Sequence, residues 1–394
     1  MSTSPAADPR RLILLLSASG FVSALTTRIL DAMVGTIARD LVADPHSVAL
    51  LATAYALPYA FIQPILGPVG DALGKERIVK LLLAALAVAL AGAALAGDLA
   101  TLTAFRILSG AAAGGVIPLS LATIGDRVPM VERQVAIGRF LTATISGQLL
   151  GGAGSGLVAD ALGWRSAFGL SSGLSVVAAI AIAIGLRGAN VSRGEFSVAV
   201  AARRYRGILR LGRARALMLF VFLEGILVFG LPPYLAPLLE EAGLGGATEA
   251  GLIVGGFAVG GIVYTLIVRW LLGLLGLGRM LKLAGILIAA AYCLMAPTSA
   301  WPLQAGAMFL AGLAFYALHN SYQTQMTEVA PEARGSAVAM HAFSFFVGQA
   351  IGPVLFGALL SQLGRGMALP ILAVGLAALG FVSSQILARS QRPL

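Results

Sequence analysis

The chain has 394 residues, 58% of them hydrophobic and only 11% charged, with 49 glycines and a net charge of +10. Soluble domains hold about 25% charged residues, so this composition excludes an ordinary globular protein and points to an all-α chain crossing a membrane many times. One cysteine, Cys293, excludes an internal disulfide framework and any CxxC metal or redox site.

Runs of about twenty apolar residues span a bilayer as helices. Twelve such runs are read here: 12–38, 48–69, 77–97, 100–123, 135–160, 164–186, 214–239, 249–272, 281–297, 302–326, 335–361 and 366–388. The first is too long for a signal-peptide core and has no small-residue cleavage site, so Arg10 and Arg11 read as its cytoplasmic anchor. With the N-terminus in the cytoplasm, Arg39, Arg165 and Arg365 fall outside, Arg28 and Arg106 lie within spans, and every other Lys and Arg falls inside. That asymmetry obeys the positive-inside rule and, with an even span count, places both termini in the cytoplasm. The excess positive charge is therefore a topology signal with some attraction for anionic lipid, not a nucleic-acid footprint.

The longest polar stretch, Arg187 to Arg215, divides the chain into residues 1–186, a basic linker over 187–213, and residues 214–394. Its helical spacing from about 196 to 212 gives a basic face that would lie along the membrane surface, as a linker or a regulatory segment. The two large parts resemble each other: GQLLGGAGSGLVADALG from Gly147 and GQAIGPVLFGALLSQLG from Gly348 share a GQxxG pattern at an offset of 201, and Arg133 and Arg334 fall at the same offset. A duplicated six-span unit is the pattern of transporters that rock two bundles about a central site.

Between the second and third runs stands GPVGDALGKERIV, from Gly67 to Val79. With the 6+6 repeat and the basic central loop, this stretch resembles the major facilitator superfamily, whose loop motif G-x-x-x-D-x-x-G-[RK] is matched by Gly67, Asp71, Gly74 and Lys75. The resemblance implies two six-helix bundles. It also implies that Asp71, with Lys75 and Arg77 beside it, forms a conformational latch across the bundles; otherwise these are ordinary loop charges. RILSGAAAGG resembles the R-x-x-x-G motif of the drug–proton antiporter branch through Arg106 and Gly110. That branch's G-x-x-x-G-P-x-x-x-G signature is only partly kept, by Gly147, Gly151 and Gly156, because Gly152 stands where the proline is expected and the proline appears as Pro353 instead.

Ionisable groups inside a span are costly and mark functional sites. Glu224 lies ten residues beyond Ala214, roughly 15 Å into a core of about 30 Å, where a carboxyl group can alternate between protonated and ionised forms. It is the expected proton carrier, or else a packing hydrogen bond. Asp31 and Arg106 lie at similar depths and are expected to pair, with Arg28 one turn from Asp31; this cluster couples protonation to a gate, or is a static pair. The dense polar run Tyr316 to Gln325 offers His319, Asn320 and Gln323 as cavity residues, and the resemblance implies Gln148 and Gln349 nearby, although some of these polar groups would serve as interhelical hydrogen bonds instead. Tyr55 and Tyr59, with Phe61 and Phe229, would form an apolar wall, or bulk packing. His341, near the inner end of its run, is the weaker candidate. Prolines in LPPYLAP, Leu231 to Pro237, are expected to break the seventh helix.

No Walker loop is present, so ATP is not the expected energy source, and no H-E-x-x-H or paired-Cys motif supports a metal centre or an enzyme. The expectation is a cofactor-free, monomeric secondary transporter of a bacterial inner membrane, taking a small-molecule substrate and protons. The favoured activity is proton-coupled efflux of small amphipathic compounds. The alternative is proton-coupled or facilitative uptake of a small metabolite or an anion held by Arg28 or Arg106.

Overall fold

In hydrocarbon each backbone N–H and C=O must be paired within the chain, which leaves the helix as the solution for long apolar runs. The computed structural model describes residues 9–186, 198–297 and 300–389, and among these there are helices and turns but no strand. The first half runs α1 (Pro9–Arg28), α2 (Val34–Asp40), α3 (Pro45–Ala49), α4 (Leu51–Leu73) and α5 (Lys75–Ala94). It continues through α6 (Leu99–Ala113), α7 (Val116–Arg127), α8 (Met130–Leu149), α9 (Ser155–Leu162) and α10 (Trp164–Gly185). After α11 (Val198–Arg210) come α12 (Gly212–Phe229), α13 (Leu235–Glu241) and α14 (Ala247–Met295). The chain closes with α15 (Trp301–Val329), α16 (Arg334–Leu363) and α17 (Arg365–Arg389).

Nine helical segments among the described residues are long and apolar enough to cross a membrane. α1 and α8 have 20 residues each but are diluted by Ser, Thr and Arg. The expected boundary between residues 272 and 281 falls inside α14, with no loop at that place. At about 1.5 Å per residue its 49 residues would overrun a bilayer core of about 30 Å twice over. The helix is broken instead at Gly276, whose φ of 65° and ψ of 167° are non-helical.

Three further breaks position side chains. Residues 29–33 form a turn between α1 and α2, which the sequence did not announce. Leu150–Gly154, LGGAG, is a turn of π-helix, in the place where Gly152 stands for a proline. Pro232–Tyr234 is a short 3-10 turn between α12 and α13, as expected from prolines that cannot complete the helix ladder.

The internal repeat extends from sequence to packing. A Cβ on Gly147 would strike the Phe21 carbonyl oxygen, and one on Gly348 the Phe222 carbonyl oxygen. Gly151 meets Leu25, and Gly352 meets Ile226, in the same way. Both members of each contact are displaced by 201 residues. Small residues let helix backbones approach this closely without a side chain between them. The inter-helix glycines Gly74, Gly163, Gly276 and Gly364 likewise share positive φ, at 94°, 82°, 65° and 69°.

α11 packs its Tyr205 and Ile208 inward, with the Tyr205 hydroxyl donating to the Pro64 carbonyl at 2.9 Å, while Arg203, Arg204, Arg206 and Arg210 are exposed. At the opposite end of the molecule the halves are tied together. Arg39 pairs with Glu240, and Asp160 of α9 accepts the Thr248 backbone N–H at 2.8 Å, capping α14 from the other half. The Tyr234 hydroxyl donates to the Pro353 carbonyl and shares a hydrogen bond with His46 Nδ1, each at 2.9 Å.

Candidate functional site

Glu224 lies midway along the α12–α13 segment and is 0% exposed. Its Oε2 is 2.8 Å from Nδ1 of His319 on α15, while Oε1 has no protein partner. This contact serves two protonation states: an imidazole N–H can donate to the carboxylate, or a carboxyl O–H can donate to the neutral ring. His319 stacks on Phe315, with centroids 5.1 Å apart, and packs against Phe345 at 4.6 Å and His341 at 5.2 Å. His341 is 1% exposed and neither ring nitrogen has a partner.

Phe229, at the C-terminus of α12, gathers Phe257, Phe315 and Phe345 around it at centroid distances of 5.2 to 5.9 Å. The Arg28 guanidinium of the first half sits 3.9 Å from the Phe229 ring centre, a cation–π contact made where water is excluded. Arg28 ends α1, so Asp31 lies within the turn that follows, and the two pair at 3.5 Å. Arg106, on α6, is 1% exposed and lies over the Tyr55 ring at 4.3 Å, with Nε 3.5 Å from the Leu51 carbonyl oxygen and Nη1 unpartnered. The Tyr55 and Thr26 hydroxyls share a hydrogen bond at 3.0 Å, and Tyr59 meets Phe346 of α16 at 4.0 Å.

The expected ion pair of Asp31 with Arg106 is thus replaced by Asp31 with Arg28, because the turn at 29–33 brings both onto one short segment. Arg106 remains close enough to attract Asp31 at longer range. Of the other expected cavity residues, Gln349 is buried with its side-chain oxygen unpartnered, Asn320 is half-buried and bonds Tyr264, and Gln148 is half-buried. Gln323 is exposed, two residues before Gln325, which Arg213 bonds. Phe61 is exposed and touches Phe343. At the α11 end, Lys75 bonds Asp126 at 2.7 Å and Glu76 pairs with Arg127 at 2.9 Å, both within the first half, while Arg77 is exposed. Gly67 and Asp71 lie on α4, but the side chain of Asp71 is outside the described residues.

The sequence reading missed the cross-half contacts Arg39–Glu240 and Asp160–Thr248; the first was within reach, since its two residues differ by the repeat offset of 201. It also missed the Arg165 guanidinium and the Trp164 indole N–H, which hold the Asp40 carboxyl below the usual carboxylate range at that same end.

Two repeated helical halves that meet around a polar centre within the bilayer define a membrane transporter rather than an enzyme. A family model described as Major Facilitator Superfamily matches residues 16–353, and again 217–391, so the chain belongs to that superfamily. It is a multi-pass membrane protein. An uncharacterized MFS-type transporter of Bacillus subtilis (strain 168), YwfA, is 24% identical over 95% of this chain and 92% of its own length. The multidrug transporter protein MdtP of the same organism is 31% identical over 43% of this chain and 32% of its own. The nucleoside transporter NupG shares the fold at a TM-score of 0.76, with 15% identity over 98% of this chain and 99% of NupG.

Proposed function

We propose that this transporter exports small amphipathic compounds in exchange for protons, by alternating access across a bacterial inner membrane. Residues 1–186 and 214–394 are read as two bundles of six spans joined by the linker 187–213, with both termini in the cytoplasm and the chain working as a monomer in lipid. The α11 end is then cytoplasmic, and the contacts Arg39–Glu240, Asp160–Thr248 and His46–Tyr234 close the outer end. They part when the site opens outward.

The observation that carries this reading is Glu224, fully buried, with one carboxyl oxygen on His319 and the other free. A carboxyl group in such a place can take a proton from one side and release it to the other only as access changes, which is the requirement for coupling. Arg28 at the end of α1 and Asp31 in the turn that follows link that change to movement of the first half against Phe229. MdtP, similar over part of the chain, is named a multidrug transporter, which supports varied small compounds over a single metabolite as substrates.

Everted membrane vesicles carrying a pH-sensitive dye test the proposal. A substrate added after energisation should release stored protons through the wild-type protein and not through Glu224→Gln. Equal responses in both move the proton carrier elsewhere. Silence of the wild type to a broad compound panel overturns exchange, and an uptake screen then decides for the alternative.

A further inference from the structure

The centre of the first half holds more positive than negative charge. Arg106 is 1% exposed and has no carboxylate within ion-pair distance among the described residues. What it has instead is the face of Tyr55 at 4.3 Å and a marginal contact from Nε to the Leu51 carbonyl at 3.5 Å, while Nη1 is buried and unpartnered. Arg28 belongs to the same neighbourhood: both guanidinium groups act electrostatically on Asp31 and on the Tyr55 hydroxyl. Asp31, paired to Arg28 at 3.5 Å, is the one carboxylate facing the two of them among the described residues. Glu224 is engaged on the far side of the aromatic cluster with His319.

A lysine or histidine in this position could lose its proton and its charge. A guanidinium does not, so the surplus stays and an unpaired buried donor is left behind, an arrangement that calls for a partner. Carboxylate, sulfonate and phosphonate groups match the flat fork of an arginine with two parallel hydrogen bonds. Beside the two arginines lie rings on both halves, Tyr59 against Phe346 at 4.0 Å and Phe229 under Arg28 at 3.9 Å. A charged head and an apolar body are therefore both provided for.

We infer that the substrate is an amphipathic organic anion, its acid group held by Arg106 and Arg28 and its apolar body lying against Tyr59, Phe346 and Phe229. This rests on the exporter reading and narrows it. A cationic amphiphile would have to enter against two fixed positive charges, and a neutral one would leave them uncompensated. The charge balance of the cycle follows. One proton entering for one monoanion leaving moves two positive charges inward, so a negative interior drives the exchange, whereas one-for-one exchange of a monocation moves none.

The test is equilibrium binding to the purified full-length protein in lipid nanodiscs, using three probes of one shape: naphthalene-2-sulfonate, 2-naphthylmethanol and 2-naphthylmethylammonium. The sulfonate should bind at least tenfold more tightly than the ammonium. Arg106→Gln should weaken the sulfonate at least tenfold while the alcohol stays within twofold, which also shows that the variant is folded. Arg28→Gln, at the turn, should weaken the sulfonate less, and Arg106→Lys should recover part of the loss. Tighter binding of the ammonium, no binding of any probe to the wild type, or sulfonate affinity unchanged in both Gln variants overturns the inference. Arginine-dependent sulfonate binding without proton release in vesicles would defeat the exporter reading and leave the anion site standing. Proton release through Glu224 by cationic compounds alone would do the reverse.

Discussion

Two seams join the halves, and the repeat makes them counterparts: α9 and the π turn against α14, and α4 against α16. In the first, glycines bring backbone against backbone at Gly156 and Gly251. Gly156 abuts the Ala247 carbonyl, Gly251 approaches Ala153, and Gly152 faces Val254. In the second, side chains do the work, with Tyr59 on Phe346 at 4.0 Å, Phe61 edge-on to Phe343 at 5.4 Å, and the Thr53 hydroxyl donating to the Ala350 carbonyl at 2.6 Å. The contrast is sharpest at one equivalent pair, since Gly156 meets a carbonyl while Gly357 meets the His46 ring and the Tyr234 hydroxyl. A backbone seam has no rotamers to change, so it holds or parts as a unit. A side-chain seam adjusts, and it is the one that borders the candidate site.

The largest expected effect follows from that difference. Gly156→Val drives a branched side chain into the Ala247 carbonyl, an overpacking cost of about 1–3 kcal/mol or more. Phe346→Leu trims a half-buried ring at the adjustable seam, where neighbours can close over the space, and should cost less than that. Thermal unfolding of the two variants in one detergent compares them, and a larger loss for Phe346→Leu would reverse the assignment of rigid and adaptable seams.

A smaller effect is expected at the end of the rigid seam. Asp160→Ala removes the cap that α14 receives from the other half, worth about 1 kcal/mol, which corresponds to a roughly five-fold shift toward the state open at that end. Spin labels at Ala43→Cys and Leu244→Cys, with Cys293 replaced by Ser, report the distance distribution. An unchanged distribution would mean the seam is not held at Asp160.

The smallest effect compares two arginine staples. Arg165 binds Asp40 and the Ala96 carbonyl, while Arg365 binds Gln304 and the Met295 carbonyl, with no carboxylate among the described residues. Asp40 is held below its ordinary 3.8 by Arg165 and Trp164, so its contribution to stability is complete above 3.8 and is lost as pH falls through the depressed value. Solvent screens this half-exposed pair and keeps the effect small. Fluorescence of Trp164, whose indole N–H donates to Asp40 at 3.1 Å, should show an acid transition below 3.8 that Asp40→Asn removes. A transition that survives the substitution would assign it to another group.

Much of the helix plan was legible because apolar runs leave the chain few alternatives in lipid. The break at Pro232 was legible for the same reason, a missing donor. The turn at 29–33 was not: Ile, Leu, Asp, Ala and Met carry no breaking signal, and only tertiary contact decides the conformation there. The buried ionisable residues stood out in sequence because they are rare in spans, but their partners did not. Glu224 and His319 are 95 residues apart, and nothing local relates them. The change from one helical segment to the next was legible between residues 272 and 281, but not that a single positive φ at Gly276 would accomplish it without a loop.

Arg39 and Glu240 occupy the same position in the two repeats, and they touch. So do Arg28 and Phe229. In a dimer of identical six-helix units, a residue at such a place would face its own copy across the symmetry axis. Arginine would then meet arginine, and glutamate would meet glutamate, each a repulsion. An ion pair or a cation–π contact at these positions is open only to a chain whose two copies are joined and have become unlike. The Arg39–Glu240 ion pair at one end of this transporter is therefore one that no symmetric assembly of either half could form.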